Sequence, residues 1–383
     1  MMRAMEYAYI TRTAQFLPGP GIGNAEMGDY IGHLSPESDR LGRLVLRQNR
    51  IRSRHYAIRP DGTSDWTLAT LAAEAVRALL MDAEIDARAI GYLATATTQN
   101  DVLVPGLASG VHAASGLPPL EIASLQSVCA SAMMALKSTA LQIRAGEHRA
   151  GIAVGAEFAS RYFRPAQYRD TATLCDNGTL PGDAEFLRWT LSDGAAGLIV
   201  EDRPARHGLS LRIDWISLRS FADRFGPCMT AGSAPRADGQ IAPWSLHDSA
   251  GAAAAAGAFQ LRQDVATLHR MLPIWLGELM RLIDEKQVEP AQVDWFLCHF
   301  SAHSLREEMV RLAERAGCMI PEERWFTNLY DKGNVGAAAL FLLLDDMLRS
   351  DRLQPGQRIL CAVPESGQCV MAYAAMTVVE GSG

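Results

Sequence analysis

Apolar positions along the chain follow two alternating rhythms. TLATLAAEAVRALLMDAEI (67–85) carries its apolar residues at helical spacing, and AIGYLATATT (89–98) then reads as a buried strand. VPGLASGVHAASGL (104–117) predicts a second helix and LEIASLQ (120–126) a second strand. Residues 130–145 are helical, and HRAGIAVGAEFAS (148–160) returns to a strand. The later part repeats the theme. LHRMLPIWLGELMRLIDEK (268–286) and LREEMVRLAERAG (305–317) predict helices around the strand VDWFLCHF (293–300), and a glycine stops the second helix. GNVGAAALFLLLDDMLRSDRL then leads into the strand RILCAVPES. Buried strands alternating with helices predict an α/β layered sheet.

Two segments match each other in plan. SVCASAMMALKSTALQIRAGEHRAGIAVGAE and KGNVGAAALFLLLDDMLRSDRLQPGQRILCAVPES each run from a small-residue turn through an apolar helix and a polar break to a strand ending near a glutamate. That pattern predicts a duplicated half. Residues 203–260 lose the rhythm: TAGSAPRADGQIAP is turn-rich and SAGAAAAAGA is of low complexity. The expected organisation is therefore an N-terminal half over 1–202, an irregular insertion or cover over 203–260, and the remainder of the C-terminal half over 261–383.

Bulk composition narrows the function classes. The 383 residues are 48% hydrophobic and 21% charged, as in an ordinary globular protein with a large core. Net charge is −7 and no basic tract stands out, which argues against nucleic-acid binding. No secretory h-region is read at the start, and no run of about 18 apolar residues predicts a membrane span. The seven cysteines show no CxxC pairing, so free thiols in a reducing cytoplasm are expected, without a zinc module. No metal or other cofactor is expected.

Among those cysteines, Cys129 sits where a strand turns into a helix, in SLQSVCASAMMAL. Free cysteine is among the most buried residue types, so simple packing competes with chemistry. At a helix start, however, unpaired N–H groups and the helix dipole favour thiolate. Its small neighbours Ser127, Ala130, Ser131 and Ala132 leave room for a substrate. A cysteine nucleophile needs a base or charge stabiliser. His299 follows the strand VDWFLC, His303 lies four residues on, and Asn334 precedes an apolar helix in the position that matches Cys129. The two histidines lack an HExxH context for metal. Glu157, at a strand end in VGAEFAS, is a candidate second base if an apolar pocket raises its pKa.

With these residues in order, the chain resembles the thiolase superfamily, and in particular ketoacyl synthase III-type condensing enzymes. RQNRIRSRHYAI, ATATTQNDVLVPGLASGVHAASGL, SVCASAMMAL, SDGAAGLIVE, DWFLCHF and DKGNVGAAAL are each similar to a segment of that family, in family order over nearly the whole chain. The resemblance implies a five-layered αβαβα fold of two pseudo-duplicated halves, normally a homodimer. It also implies that Cys129 takes an acyl group as thioester while His299 and Asn334 stabilise an enolate on the second substrate. Acyl carrier protein or coenzyme A thioesters are the implied partners, and Arg306 matches a basic residue that greets the carrier protein.

Two departures accompany the resemblance. HFSAHSL is longer than the family's histidine loop, which keeps His303 as a competing imidazole. A C-terminal glycine triplet becomes Gly367-Gln368-Cys369, which makes Gln368 a candidate for substrate contact. LRQNRIRSRHYAI and the VPESG ending look like ketosynthases of dialkylresorcinol and cyclohexanedione pathways, where Claisen condensation is followed by ring closure. The alternatives are acyl transfer from the same cysteine to oxygen or nitrogen, and a non-catalytic partner subunit.

Overall fold

The computed structural model describes residues 6–81, 85–175, 178–236 and 240–383. Within it, ten strands join in one mixed sheet that divides into two equivalent units. The first unit contains β1 (Ala8–Phe16), α1 (Leu68–Met81), β2 (Ile90–Thr97), α2 (Leu107–Ser115), β3 (Glu121–Gln126), α3 (Ser131–Ala145), β4 (Ala150–Glu157) and β5 (Gly194–Glu201). The second contains β6 (Leu209–Ser220), α4 (Val265–Asp284), β7 (Trp295–Cys298), α5 (His303–Ala316), β8 (Trp325–Phe326), α6 (Ala339–Leu348), β9 (Arg358–Glu365) and β10 (Val370–Glu380). The sheet order is β8-β7-β9-β10-β6-β1-β5-β4-β2-β3. In each unit three parallel strands are followed by two antiparallel ones, so the duplication read in the sequence is a duplication of topology. The units meet where β1 and β6 pair antiparallel, Ala8 opposite Ile213 and Ile10 opposite Leu211.

Strand alternation explains the layering. In β5, Leu198 and Val200 pack into a central apolar cluster while Ile199 packs into an outer one. In β9, Ile359, Cys361 and Val363 face the same central cluster, and Leu360 and Ala362 face a third cluster on the far side. Helices α3 and α6 fill the centre through Leu136, Ile143, Phe341 and Leu344. Helices α1 and α2 cover one outer face through Leu68, Leu71 and Val111, while α4 and α5 cover the other through Leu272, Leu279 and Leu305. The layers therefore run helix, sheet, helix, sheet, helix, and β4 is buried along its whole length because both its faces are covered.

Several elements differ from the pattern-based expectation. Residues 209–220 form the longest strand of the sheet, inside the stretch read as an irregular cover. LSLRIDWISLRS is half-buried and antiparallel, so Arg212 and Asp214 interrupt its apolar run and it lacks the solid apolar signal of a parallel strand. Between Ser220 and residue 260, the described residues carry only short strands, the 3-10 turn Trp244–Leu246 and the helix Ala250–Ala255, and residues 237–239 of TAGSAPRADGQIAP lie outside the described residues. Strand β3, read among buried strands, is the sheet edge and largely exposed because only β2 pairs with it. Helix α2 starts at Leu107, after Pro105 and the N-cap Gly106, and ends at the left-handed Gly116. Helix α4 begins at Val265, earlier than its apolar pattern shows, because the Asp264 side chain accepts from the Thr267 N–H at 3.0 Å. Residues 82–84, read as the end of the first helix, lie outside the described residues, as do residues 1–5. No helix of the described residues is long and apolar enough to cross a membrane.

The central layer tolerates no extra atoms where the units touch. A Cβ on Gly155, in β4, would lie 2.8 Å from the Ala337 carbonyl oxygen and 3.2 Å from the Ala338 Cα. Backbone on both sides leaves no side chain to swing away. Gly155→Ala should cost about 1–3 kcal/mol in urea unfolding. Unfolding at the wild-type midpoint would show that the two chain segments can separate freely there.

Candidate active site

Both central helices begin at the seam between the units. SVCA (127–130) before α3 and NVGA (334–337) before α6 are equivalent turns: the Ala130 N–H donates to Glu365 at 2.9 Å and the Ala337 N–H to Glu157 at 2.9 Å. Each glutamate ends the strand of the opposite unit. This register places Cys129 opposite Gly336 and Asn334 opposite Ser127. The sequence reading of Asn334 as the match of Cys129 is therefore off by two residues.

Cys129, Glu157, His299 and Asn334 line one cavity with about 830 Å3 of empty space, open solvent at its mouth included. Leu187, Leu191, Leu268, Leu272, Trp275 and Met309 form its apolar wall. Gln99, Arg161 and Tyr162 add a more polar side, where Arg161 pairs with Asp101. Met229 reaches the cavity from the irregular segment.

The resting thiol is not a thiolate. Cys129 is buried, and burial, followed by the neighbouring Glu365 and Glu157 carboxyls, pushes its pKa well above the ordinary thiol range. The sequence argument from the helix dipole is outweighed here because burial, and after it the two carboxyls, act on the sulfur with the opposite sign. His299 is 4% exposed, and burial lowers its pKa to about 4, so the ring is neutral at neutral pH. Its backbone N–H donates to the Ala362 carbonyl at 2.9 Å, while the buried ring Nε2 has no hydrogen-bond partner. A buried polar atom left open at a cavity wall is suited to a substrate oxygen.

Asn334 is oriented by its own turn. Its Oδ1 accepts from the Gly336 N–H at 3.0 Å, which leaves the side-chain NH2 to serve the cavity as donor. Glu157 accepts at a single oxygen, Oε1, from the N–H of Thr98 at 3.0 Å, the N–H of Ala337 at 2.9 Å and the Thr98 hydroxyl. Burial outweighs these bonds and raises its pKa to about 7.

Three other sequence candidates lie elsewhere. His303 spends both ring nitrogens on the Tyr330 hydroxyl (2.6 Å) and Glu307 (3.2 Å), and lines an outer groove rather than the cavity. Arg306 is held by Glu322 at 2.7 Å and lies over the Trp325 ring, with its side chain 17% exposed. Gln368 donates to the Phe225 carbonyl at 3.0 Å and fastens a loop. It does not line the cavity, which Pro364 and Ser366 do, because it lies beyond the strand end in the turn between β9 and β10. The residue that sequence reasoning passed over is Glu365, whose signal was the likeness of VPES to VGAE. Among the described residues, no group of three His, Cys, Asp or Glu side chains is placed to hold a metal ion.

Residues 57–177 match the family described as "Thiolase, N-terminal domain", and residues 283–375 match "3-Oxoacyl-[acyl-carrier-protein (ACP)] synthase III C terminal". The chain is 26% identical over 362 residues to a beta-ketoacyl-[acyl-carrier-protein] synthase III of Bordetella petrii, covering 94% of this chain and 95% of that one. Its fold is shared with AbyA1, a tetronic acid condensing enzyme, at TM-score 0.76 and 21% identity over 97% of this chain and 99% of that one. It is shared too with cerulenin-bound OleA of Xanthomonas campestris, at TM-score 0.74 and 18% identity over 98% of both. With its two-unit fold and its matches in both units, the chain belongs to the thiolase superfamily, among the ketoacyl synthase III-type condensing enzymes.

Proposed function

We propose that the chain is a ketosynthase that joins two acyl groups through an acyl-Cys129 intermediate. The observation that carries this reading is the convergence of Cys129, the open His299 Nε2 and Asn334 on one cavity with a long apolar wall. Cys129 sulfur attacks the carbonyl of an acyl thioester and expels the carrier thiol, which takes up the cysteine proton. A second thioester then binds with its carbonyl oxygen toward His299 and Asn334. Two neutral donors stabilise the enolate that decarboxylation or deprotonation creates there. The enolate carbon attacks the acyl carbonyl, the new carbon–carbon bond forms, and Cys129 leaves with its sulfur ready for reprotonation.

Glu157 supports a further step. A carboxyl group near half-ionisation at pH 7, with one oxygen uncommitted, is suited to moving a proton during a second carbon–carbon bond formation. That step would close the ring of a cyclohexanedione or resorcinol precursor. The acyl donors are carrier-protein or coenzyme A thioesters. The exposed edge strand β3, with Ile122, and the adjoining Val102, Leu103 and Val104, exposed by 53–82%, support a homodimer formed across that edge. Seven unpaired cysteines fit a reducing cytoplasm.

Incubation with medium-chain acyl and β-ketoacyl thioesters, followed by mass, tests the reading. Wild type should carry the acyl mass on the Cys129 peptide and release a condensed product, while Cys129→Ala should carry none. His299→Ala and Asn334→Ala should lose about 100-fold or more in product formation, and His303→Ala should stay close to wild type. Loading without any carbon–carbon product would favour acyl transfer to oxygen or nitrogen. No loading from any donor would sink both.

The protonation of Glu157 has its own signature. Its folded pKa of about 7 lies above the unfolded value, so the native state keeps a proton that the unfolded chain releases. The stability this gives is complete below the unfolded pKa and is lost as pH rises toward about 7. Glu157→Gln can keep all three hydrogen bonds at its remaining oxygen and lacks this loss. Across urea titrations from pH 5 to 8, the variant should gain on wild type by up to about 3 kcal/mol. A pH-independent difference would show Glu157 ionised in the fold.

A further inference from the structure

The two buried strand-end glutamates occupy equivalent places and are not used alike. Glu157 gathers its three donors on Oε1. Glu365, 1% exposed, uses both oxygens: Oε1 accepts from the Ser127 hydroxyl at 2.6 Å, and Oε2 accepts from the N–H groups of Val128 at 3.1 Å and Ala130 at 2.9 Å. Those three residues bracket Cys129. Strand alternation sends Pro364 and Ser366 to the cavity wall and turns Glu365 away from it, into the nucleophile turn.

We propose that Glu365 is a positioning residue for Cys129: its carboxylate, delivered from the opposite half of the fold, fixes the 127–130 turn so that the sulfur faces His299 and Asn334. The role follows from the geometry of the donors. The N–H groups of Val128 and Ala130, one on each side of Cys129, converge on one oxygen, which sets the orientation of the Ser127–Val128 and Cys129–Ala130 peptide planes. Ala130 at the N-cap has no side-chain acceptor to offer, and the Ser131 hydroxyl and N–H close the turn on the Val128 carbonyl at 2.7 and 3.2 Å, so the inward Val128 and Ala130 N–H groups are left to Glu365. The groups that act electrostatically on the sulfur are Glu365 and Glu157, while His299, neutral, and the paired Arg161 share its cavity. Burial raises the Glu365 pKa, and its three hydrogen bonds oppose that rise.

The inference rests on Cys129 accepting an acyl group, so the test reads it in two independent ways. Glu365→Gln keeps size but turns one acceptor oxygen into an NH2 that faces a donor. Acyl loading of the folded variant should slow about tenfold or more. Alkylation of Cys129 by iodoacetamide should at the same time shift its pH midpoint downward by about half a unit or more, because a carboxylate beside the thiol is gone. A thiol easier to ionise yet slower to load is what misplacement predicts. Lost stability alone would leave the alkylation midpoint of the folded protein unchanged. A folded Glu365→Gln protein with wild-type loading, or with an unshifted midpoint, overturns the proposal. If that variant does not fold, Ser127→Ala decides: loading about threefold slower supports the role, and wild-type loading overturns it. Wild type that loads no thioester would instead sink the ketosynthase reading, with the alkylation shift still deciding the role of Glu365.

Discussion

A helix buried between two sheets starts with backbone N–H groups that no carbonyl of its own can satisfy. In this protein that constraint arises twice, at α3 and α6, and both times the solution is a carboxyl group from the other half. Glu365 closes the start of α3 and Glu157 the start of α6. An unsatisfied buried donor costs about 1–3 kcal/mol, so each half depends on the other for the entrance to its central helix. The same exchange draws the ends of β4 and β9 and the two helix starts to one place. The site is thus located by the physics of the buried helix termini before any catalytic residue is considered.

Burial also fixes the resting charge of that site. His299 is held neutral, Glu157 is drawn toward its protonated form and the Cys129 thiol keeps its proton. With His299 and Cys129 uncharged and Glu157 partly protonated, the cavity holds little charge that an apolar chain would leave stranded. In the proposed condensation, charge would develop on a thioester oxygen facing donors already in place, and little of their stabilisation would be spent on reorganisation. The apolar wall of Leu268, Leu272, Trp275 and Met309 keeps water from this arrangement, whatever chain it meets.

Helical periodicity and buried runs made the parallel strands and their helices legible, since each gives a strong local signal. β6 and β10 did not announce themselves, because half-buried antiparallel strands mix Arg212, Asp214 and Thr377 into their apolar positions. The candidate site was legible in its cysteine, histidine and asparagine, whose contexts could be read from turns and strand ends. The ring nitrogens of His303 are taken by Glu307, one helical turn on and legible as an i,i+4 pair, and by Tyr330, 27 residues away and invisible to any local pattern. Glu365 was hidden for a similar reason: its partners lie more than 230 residues away.

The duplicated turns show how a symmetric frame yields an asymmetric site. Where one turn carries Cys129, the other carries Gly336, which adopts φ +47° and would place a Cβ within 2.8–3.0 Å of the Glu157 side chain. No side chain can stand there without displacing the carboxyl group that supports α6. Two residues earlier, Ser127 gives its hydroxyl to Glu365, whereas Asn334 turns its oxygen to its own backbone and keeps its NH2 for the cavity. The side chain that braces one turn has become the donor of the other. A single packing solution used twice therefore leaves a thiol at one turn and an amide donor at the other, which is the asymmetry the proposed condensation needs.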